Sequence, residues 1–247
     1  MRSDRLRDKS RTRTASFLAL VIALVVAVVA PIGMNQASAQ TDVVIQTRVQ
    51  VLHASPSLGK VEVFFNGDET LDEFNYGDQS DWIDISPGST QVTITADRAG
   101  FNYVVFDAVY PVPAGNDYTL VISDALILAS AIDRSPVLDG AARVQVVQAS
   151  VDLPAVNVVA SGSDVSFATQ LTYPRSSEYQ SIPAGTYDIE VSLADTGDVV
   201  LTQTGMVLEG NMVYQLVIMG SVGDENHPLE VRSISDTTKS EDATPTP

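Results

Sequence analysis

The histidine at position 53 is the residue best suited to acid–base chemistry in this sequence of 247 residues. His53 lies two residues before Ser55, and residues two apart on a strand share one face of a sheet. A histidine beside a serine hydroxyl is the beginning of a nucleophile–base pair, which a carboxylate would complete by orienting the imidazole. One alternative is therefore a hydrolase that uses His53 as its general base.

A second copy of this segment argues against that chemistry. Residues 143–162 repeat residues 48–67 with 10 of 20 positions identical. The matched polar positions are Arg48, His53 and Ser55 in the first copy and Arg143, Gln148 and Ser150 in the second. Glutamine cannot exchange protons at neutral pH as histidine does, so the exchange favours a hydrogen bond that closes the end of each strand. The sequence predicts no catalytic residue.

Other chemical motifs are weak. Ser57 and Lys60 match the pattern S-x-x-K, but its companion elements are absent and the four residues lead into a strand. Two histidines 174 residues apart and no cysteine exclude the usual zinc spacings. Carboxylates are frequent between Asp68 and Asp84 without the spacing of a calcium loop, so solvation is favoured and weak calcium binding is the alternative. We expect no metal and no cofactor.

Two aromatic residues are candidates for contact with a partner. Trp82 is the single tryptophan, and strand alternation places it on the face opposite Ile83 and Ile85. Tyr179 takes the same position in the second copy. If the isoleucines face a core, both aromatic rings point outward and form a surface contact. The alternative is a strand twisted so that the tryptophan packs inward.

Strands must position these residues. After residue 40 no window shows an apolar stripe of helical period, whereas β-branched and aromatic residues alternate with polar ones between turn sequences. In the first copy, strands are predicted near 43–54, 60–66, 70–76, 81–86, 90–97, 102–111, 117–123 and 125–132. Short half-buried strands at this spacing predict an all-β fold of two tandem β-sandwiches, 43–137 and 141–235, joined by a short polar connector.

The two ends of the chain have other predicted roles. Six basic residues precede a run of 16 residues, 15–30, that is apolar apart from Ser16, and small residues at 37–39 offer a cleavage site. Residues 1–39 are therefore predicted to be a signal peptide, and an uncleaved membrane anchor is the alternative. Apart from two prolines, residues 236–247 have no apolar side chain larger than alanine, so we expect a disordered tail.

Without the leader the chain is strongly acidic. The first 39 residues hold six of the 14 basic and two of the 31 acidic residues, so the remainder has a net charge of −21. Such a surface repels nucleic acid and anionic lipid, and it keeps an exported protein monomeric. We expect a secreted or extracytoplasmic protein with no nucleic-acid partner and no stable membrane insertion after processing. Its predicted partner is a protein or glycan at the cell surface.

The opening strand of each copy resembles the bacterial domain-of-unknown-function family 4397. Its signature reads R-V-x-x-x-H-A-S-P-D-A-P-x-V-D-V. The first copy keeps the first half through Pro56, and the second copy keeps the second half from Asp152 to Val158. Later family marks occur at 113–119 and 182–187. The resemblance implies exported tandem β-sandwiches of immunoglobulin-like or transthyretin-like type and carries over no catalytic residue. We therefore expect a non-catalytic module that binds a protein or glycan or forms part of the envelope.

Overall fold

Sixteen strands and no helix make up the part of the chain that the computed structural model describes, residues 47–98, 100–138 and 140–238. The predicted all-β class is confirmed. The predicted signal peptide and residues 239–247 of the predicted tail lie outside the described residues. Within those ranges no helix is long and apolar enough to cross a membrane.

The first repeat contains eight strands in two sheets. They are β1 (Thr47–His53), β2 (Val61–Phe65), β3 (Asp68–Phe74), β4 (Ile83–Ile85), β5 (Gly88–Arg98), β6 (Phe101–Val112), β7 (Asp117–Ile122) and β8 (Ile127–Ala131). The sheets have the orders β4-β1-β7-β8 and β3-β2-β5-β6. Strands β1 and β7 are parallel, and the other pairs are antiparallel. Alternate apolar side chains, among them Val51, Val63 and Ile94, form the core between them.

The second repeat has the same topology. Its strands are β9 (Ala142–Gln148), β10 (Val156–Ala160), β11 (Ser166–Leu171), β12 (Gln180–Ile182), β13 (Gly185–Leu193), β14 (Val199–Leu208), β15 (Met212–Met219) and β16 (Glu230–Thr237). The sheet orders β12-β9-β15-β16 and β11-β10-β13-β14 reproduce those of the first repeat. Strand β16 continues to Thr237, two residues beyond the boundary expected from the sequence. Two tandem sandwiches are confirmed.

A third hydrophobic core joins the two sandwiches. We call the sheets that contain β1 and β9 the inner sheets. The outward faces of the inner sheets pack together through Leu52, Val121, Val147, Val217 and Met219. Strands β1, β7, β9 and β15 are therefore buried on both faces. The expectation of half-buried strands was wrong for these four, because the second face of each inner sheet is covered by the other repeat.

Polar side chains accompany the third core in matching positions. Gln50 on β1 donates from Nε2 to the carbonyl oxygen of Ser80 at 2.8 Å, and Gln145 on β9 donates to that of Ser177 at 2.9 Å. Both glutamines are buried. The inner sheets are also linked directly, since Ser130 Oγ donates to Gln145 Oε1 at 2.9 Å. Because the bond between Ser130 and Gln145 is directional, it constrains the relative position of the two inner sheets in a way that apolar contact alone does not.

Candidate functional site

His53 ends β1 and is completely buried. Its Nε2 lies 2.7 Å from the carbonyl oxygen of Gly59, and its Nδ1 lies 3.2 Å from the backbone nitrogen of Ser55. The Ser55 amide can only donate, so Nδ1 accepts and Nε2 carries the proton that is donated to Gly59. Burial lowers the pKa of His53 and keeps the ring neutral. Both ring nitrogens are therefore occupied by local hydrogen bonds.

Gln148 makes the matching contact at the end of β9. Its Oε1 accepts from the backbone nitrogen of Ser150 at 3.0 Å, as Nδ1 of His53 accepts from Ser55. Gln148 is also completely buried. In each repeat, the side chain satisfies a backbone amide where the chain leaves the strand and turns away from the sheet. That function needs a hydrogen-bond acceptor of suitable length and does not need a titratable group.

The hydrogen bonds of Ser55 do not suit a catalytic nucleophile. Its side chain is completely buried, and Oγ donates to Asp124 in the loop between β7 and β8. A nucleophilic serine would donate to the histidine, with the carboxylate on the far side of the ring. Here the carboxylate holds the serine and the histidine holds a backbone amide. The residues that the sequence placed together are close in space, but their hydrogen bonds run in the wrong order for nucleophilic catalysis.

The second repeat builds the same tether with its carboxylate in the other loop. Ser150 Oγ donates to Asp152 at 3.0 Å, within the loop between β9 and β10. Asp152 also accepts from Ser221 Oγ at 2.5 Å and from the backbone nitrogen of Val222 at 3.0 Å. Burial opposes ionisation, but the hydrogen bonds from Ser221 and Ser150 outweigh it and lower the pKa of Asp152. The tether therefore remains charged at neutral pH.

Trp82 lies in an ion-pair network where the two repeats meet, which we call the seam cluster. Its members are Arg48, Trp82, Asp117, Arg134 and Asp236. Arg48 pairs with Asp117 at 2.6 Å and lies 3.5 Å from Asp236, while Arg134 pairs with both carboxylates. The two guanidinium groups lie 4.7 and 5.7 Å from the centre of the Trp82 ring. Burial would raise the pKa of Asp117, yet the two arginines hold it below its ordinary value.

The seam cluster alters the interpretation of Trp82 as a surface contact for a partner. Ile83 and Ile85 pack against the core of the first sandwich, and Trp82 is half-buried beside the arginines. Two guanidinium groups already lie over the ring, so it is not an open aromatic surface. Contact of Trp82 with an external partner stays a prediction. The arginines that cover it could not be assigned from the sequence, because Arg134 comes from the connector and approaches only after the repeats pack.

Arg143 and Tyr179 lie on the second-repeat side of the same boundary. Arg143 Nε donates to Asp133 at 2.7 Å, so the connector is paired with both repeats. Tyr179 is half-buried, and burial raises its pKa to about 12. Its buried hydroxyl lies beside the backbone of Asp133 and the side chain of Gln215, whose hydrogen bonds partly offset the effect of burial on the pKa. The predicted role of Tyr179 as a surface contact stays a prediction, with the ring placed at a boundary rather than on an open face.

A cleft of about 660 Å³, which we call the seam cleft, opens between the repeats. It is lined by the start of β7, the end of β8, the connector, and Gln145 and Tyr179 of the second repeat. Sequence reasoning did not find this cleft, since no single segment contains it. Among residues 47–98, 100–138 and 140–238, no group of three or more metal-binding side chains is arranged to hold an ion. Weak calcium binding stays a prediction.

Comparison with known proteins assigns the family. The family model described as domain of unknown function (DUF4397) matches residues 47–159 and 142–246. The chain belongs to the DUF4397 family. The predicted resemblance and its two copies are thereby confirmed. No curated protein matches the chain.

Solved structures add only a distant similarity to this DUF4397 chain. One match is titled a crystal structure of CBMbc (family CBM26) from Eubacterium rectale Amy13K in complex with maltoheptaose. The two sequences are 9% identical, and the match covers 78% of this chain and 98% of that chain with a TM-score of 0.24. Similarity at this level transfers neither a detailed fold nor a ligand to the present protein.

Proposed function

We propose that this DUF4397 protein is a non-catalytic binding module that works outside the cytoplasm, with a protein or glycan of the cell surface as its partner. The observation that supports this best is the environment of His53. The only histidine in the repeated motif is completely buried, and both of its nitrogens are engaged. A general base must reach the proton that it removes, and this imidazole reaches only Ser55 and Gly59.

The extracytoplasmic location rests on the sequence. A basic segment, the apolar run of residues 17–30 and small residues at 37–39 support export with cleavage before Gln40. The absence of cysteine is compatible with this location because three hydrophobic cores supply the burial that disulfides would otherwise supplement. N-terminal sequencing of the exported protein should begin at Gln40. An intact, membrane-embedded N-terminus would contradict the proposal and favour an anchored form.

The alternative function is a hydrolase that depends on His53, and one variant separates the two. His53→Gln copies the residue that the second repeat already uses at Gln148. A binding module should retain its thermal transition and its partner, because glutamine can accept from Ser55 as it does from Ser150. A hydrolase should lose about two to four orders of magnitude in rate toward ester, peptide or glycoside substrates. Hydrolase activity that His53→Gln removes while the fold is kept would overturn the proposal.

A further inference from the structure

A cavity of about 80 Å³, which we call the first-core cavity, lies between the two sheets of the first sandwich. Buried Val49 and Leu120 line it from the inner sheet, and buried Phe65 and Val92 line it from the outer sheet, β3-β2-β5-β6. Among the described residues, none with a charged side chain lines this cavity. Its interior therefore favours an apolar, uncharged occupant, because a charge placed there without a partner would be costly to desolvate.

The second repeat places an aromatic ring at the corresponding position. Thr90 and Tyr187 are each the third residue of equivalent strands, β5 and β13. Tyr187 packs against the second core and meets Phe167 edge-on, with ring centres 5.7 Å apart. Its hydroxyl donates to the carbonyl oxygen of Pro183 at 2.6 Å. Thr90 lines the first-core cavity and has no ring, so the first repeat does not supply the matching aromatic group from this position.

The remaining lining residues do not close the cavity. Phe65 is larger than Ala160, its equivalent at the end of β10, and space remains beside it. An apolar cavity of about 150 Å³ stays dry and binds benzene, so the smaller first-core cavity has room for one ring at most. Thr90 Oγ1 is buried beneath the cavity surface, so recognition rests on shape and apolar contact rather than on a hydrogen bond.

The cavity is reached from the edges of the two sheets. Strands β6 and β8 are edge strands of the outer and inner sheet, and both contribute to the lining. Tyr110 on β6 is half-buried, whereas Ala129 on β8 is exposed and lies directly opposite buried Leu120. Ala129 therefore stands at the mouth of the cavity, and a small molecule can enter beside it without separation of the sheets.

We propose that the first-core cavity binds a small uncharged molecule with a single aromatic ring, in the place that Tyr187 occupies in the second repeat. The rings of Phe65, Tyr110 and Tyr118 line the cavity. Neighbouring aromatic rings attract one another in offset or edge-on arrangements beyond their apolar contact, which favours an aromatic ligand over an aliphatic one of the same size. This inference goes beyond the proposed function, because the site lies inside one repeat and involves no cell-surface partner.

The test titrates the exported full-length protein with phenol and follows the backbone amide signals by NMR at pH 7. We expect shifts centred on Thr90 and Leu120 and a dissociation constant of about 1 mM or tighter, within the ceiling for so small a ligand. Benzoate, which is charged, and 2-naphthol, which has two rings, should each bind at least about tenfold more weakly. Cyclohexanol tests the aromatic preference and should also bind more weakly than phenol.

Three variants place the phenol site. Thr90→Tyr supplies the ring from the chain, as the second repeat does, and should weaken phenol binding at least about tenfold. Ala129→Phe should have the same effect by closing the mouth from an exposed position, where the fold tolerates a larger side chain. The matched control is Thr93→Tyr, on the opposite face of β5, where Thr93 Oγ1 donates to Asp107 at 3.2 Å. It should leave phenol binding unchanged, and thermal unfolding of each variant establishes that the fold is retained.

Several results would overturn the aromatic site. They are absence of phenol binding, equal binding of benzoate, 2-naphthol or cyclohexanol, and shifts scattered over the surface instead of centred on the cavity. Phenol binding that survives Ala129→Phe in a folded protein would overturn it as well, even if Thr90→Tyr did not fold. None of these outcomes concerns the cell-surface partner, so the proposed function would stand.

Discussion

The two repeats close the end of their first strand with different residues and nearly the same geometry. His53 and Gln148 both accept a hydrogen bond from the amide two residues ahead. Asp124 and Asp152 both hold the serine of the motif, although they come from different loops. What the two repeats have in common is satisfaction of the turning backbone and tethering of one loop to another. At this position a histidine is found in one repeat only, so the fold does not require acid–base capacity there.

The cores of the repeats differ more than their topology. Eighteen buried residues form the core of the second sandwich and 12 form that of the first, within the described residues. The first repeat also leaves Phe101 77% exposed and Val109 63% exposed on β6. Since buried apolar area is the main source of stability, we expect the second repeat to contribute more to the free energy of unfolding. The third core should couple the two so that they unfold together.

The largest expected effect comes from breaking that coupling. Leu52→Asp places a carboxylate in the third core, where Leu52 is completely buried between the inner sheets. We expect a loss of at least about 3 kcal/mol and separation of the urea unfolding curve into two transitions. Leu138→Asp, at a connector position that is 71% exposed, is the control and should leave one transition. A single unshifted transition for Leu52→Asp would show that the inner sheets do not stabilise each other.

The next prediction compares leucine-to-alanine substitutions at equivalent core positions of the two repeats. Leu216 on β15 is completely buried, whereas Leu120 on β7 is 6% exposed. Leu216→Ala should cost about 3–5 kcal/mol and Leu120→Ala about 2–4 kcal/mol, because the cavity in the more tightly buried core has less freedom to relax. Urea unfolding of both variants against the parent protein measures the difference. Equal costs, or a larger cost at Leu120, would contradict the ranking of the two cores.

A smaller effect concerns the seam cluster and has a defined pH dependence. The arginines hold the pKa of Asp117 below its ordinary value of 3.8, so its stabilisation is present above that value and is lost as pH falls through the folded-state pKa. Asp117→Asn should cost about 1–3 kcal/mol at pH 7, discounted for the partial exposure of the arginines. It should also reduce the loss of stability on acidification below pH 4.

The matched control for this prediction is Glu73→Gln, which removes an ion pair with Lys60 on the open surface. The unfolding midpoint of Glu73→Gln should stay at the parent value. If both variants lose the same stability, the seam cluster behaves as an ordinary surface pair and does not stabilise the boundary.

The smallest expected effect is a difference in the pH dependence of stability between the end of β1 and the end of β9. Burial lowers the pKa of His53 below 6.5, so the unfolded chain binds a proton that the folded chain excludes, and stability falls as pH decreases below 6.5. His53→Gln should remove this contribution, which cannot exceed about 1.4 kcal/mol per pH unit. The reciprocal Gln148→His should add a similar slope. A stability profile between pH 5 and 7 that neither exchange changes would show that His53 does not titrate on unfolding.

Local sequence determined the strands, the turns and the duplication. Alternation places Val49 and Val51 on one face of β1 with no information from elsewhere in the chain. Chain reversals coincide with the repeated Gly67 and Gly162, both at positive φ. The exchange of histidine for glutamine at one position also indicated a structural hydrogen bond. These features follow from neighbours within a few residues, which is the range over which periodicity and turn chemistry act.

The pairing of the inner sheets was decided only by the tertiary structure. A hint was present, because residues 120–122 and 216–219 are continuous apolar runs of the kind found in strands buried on both faces. Such a run does not identify which part of the protein covers the outward face of each inner sheet. Gln50 and Gln145 read as solvent-facing by alternation, yet they are buried in the boundary. The seam cleft needs Arg134, Gln145 and Tyr179 together, and only packing of one repeat against the other brings segments so distant in sequence to the same place.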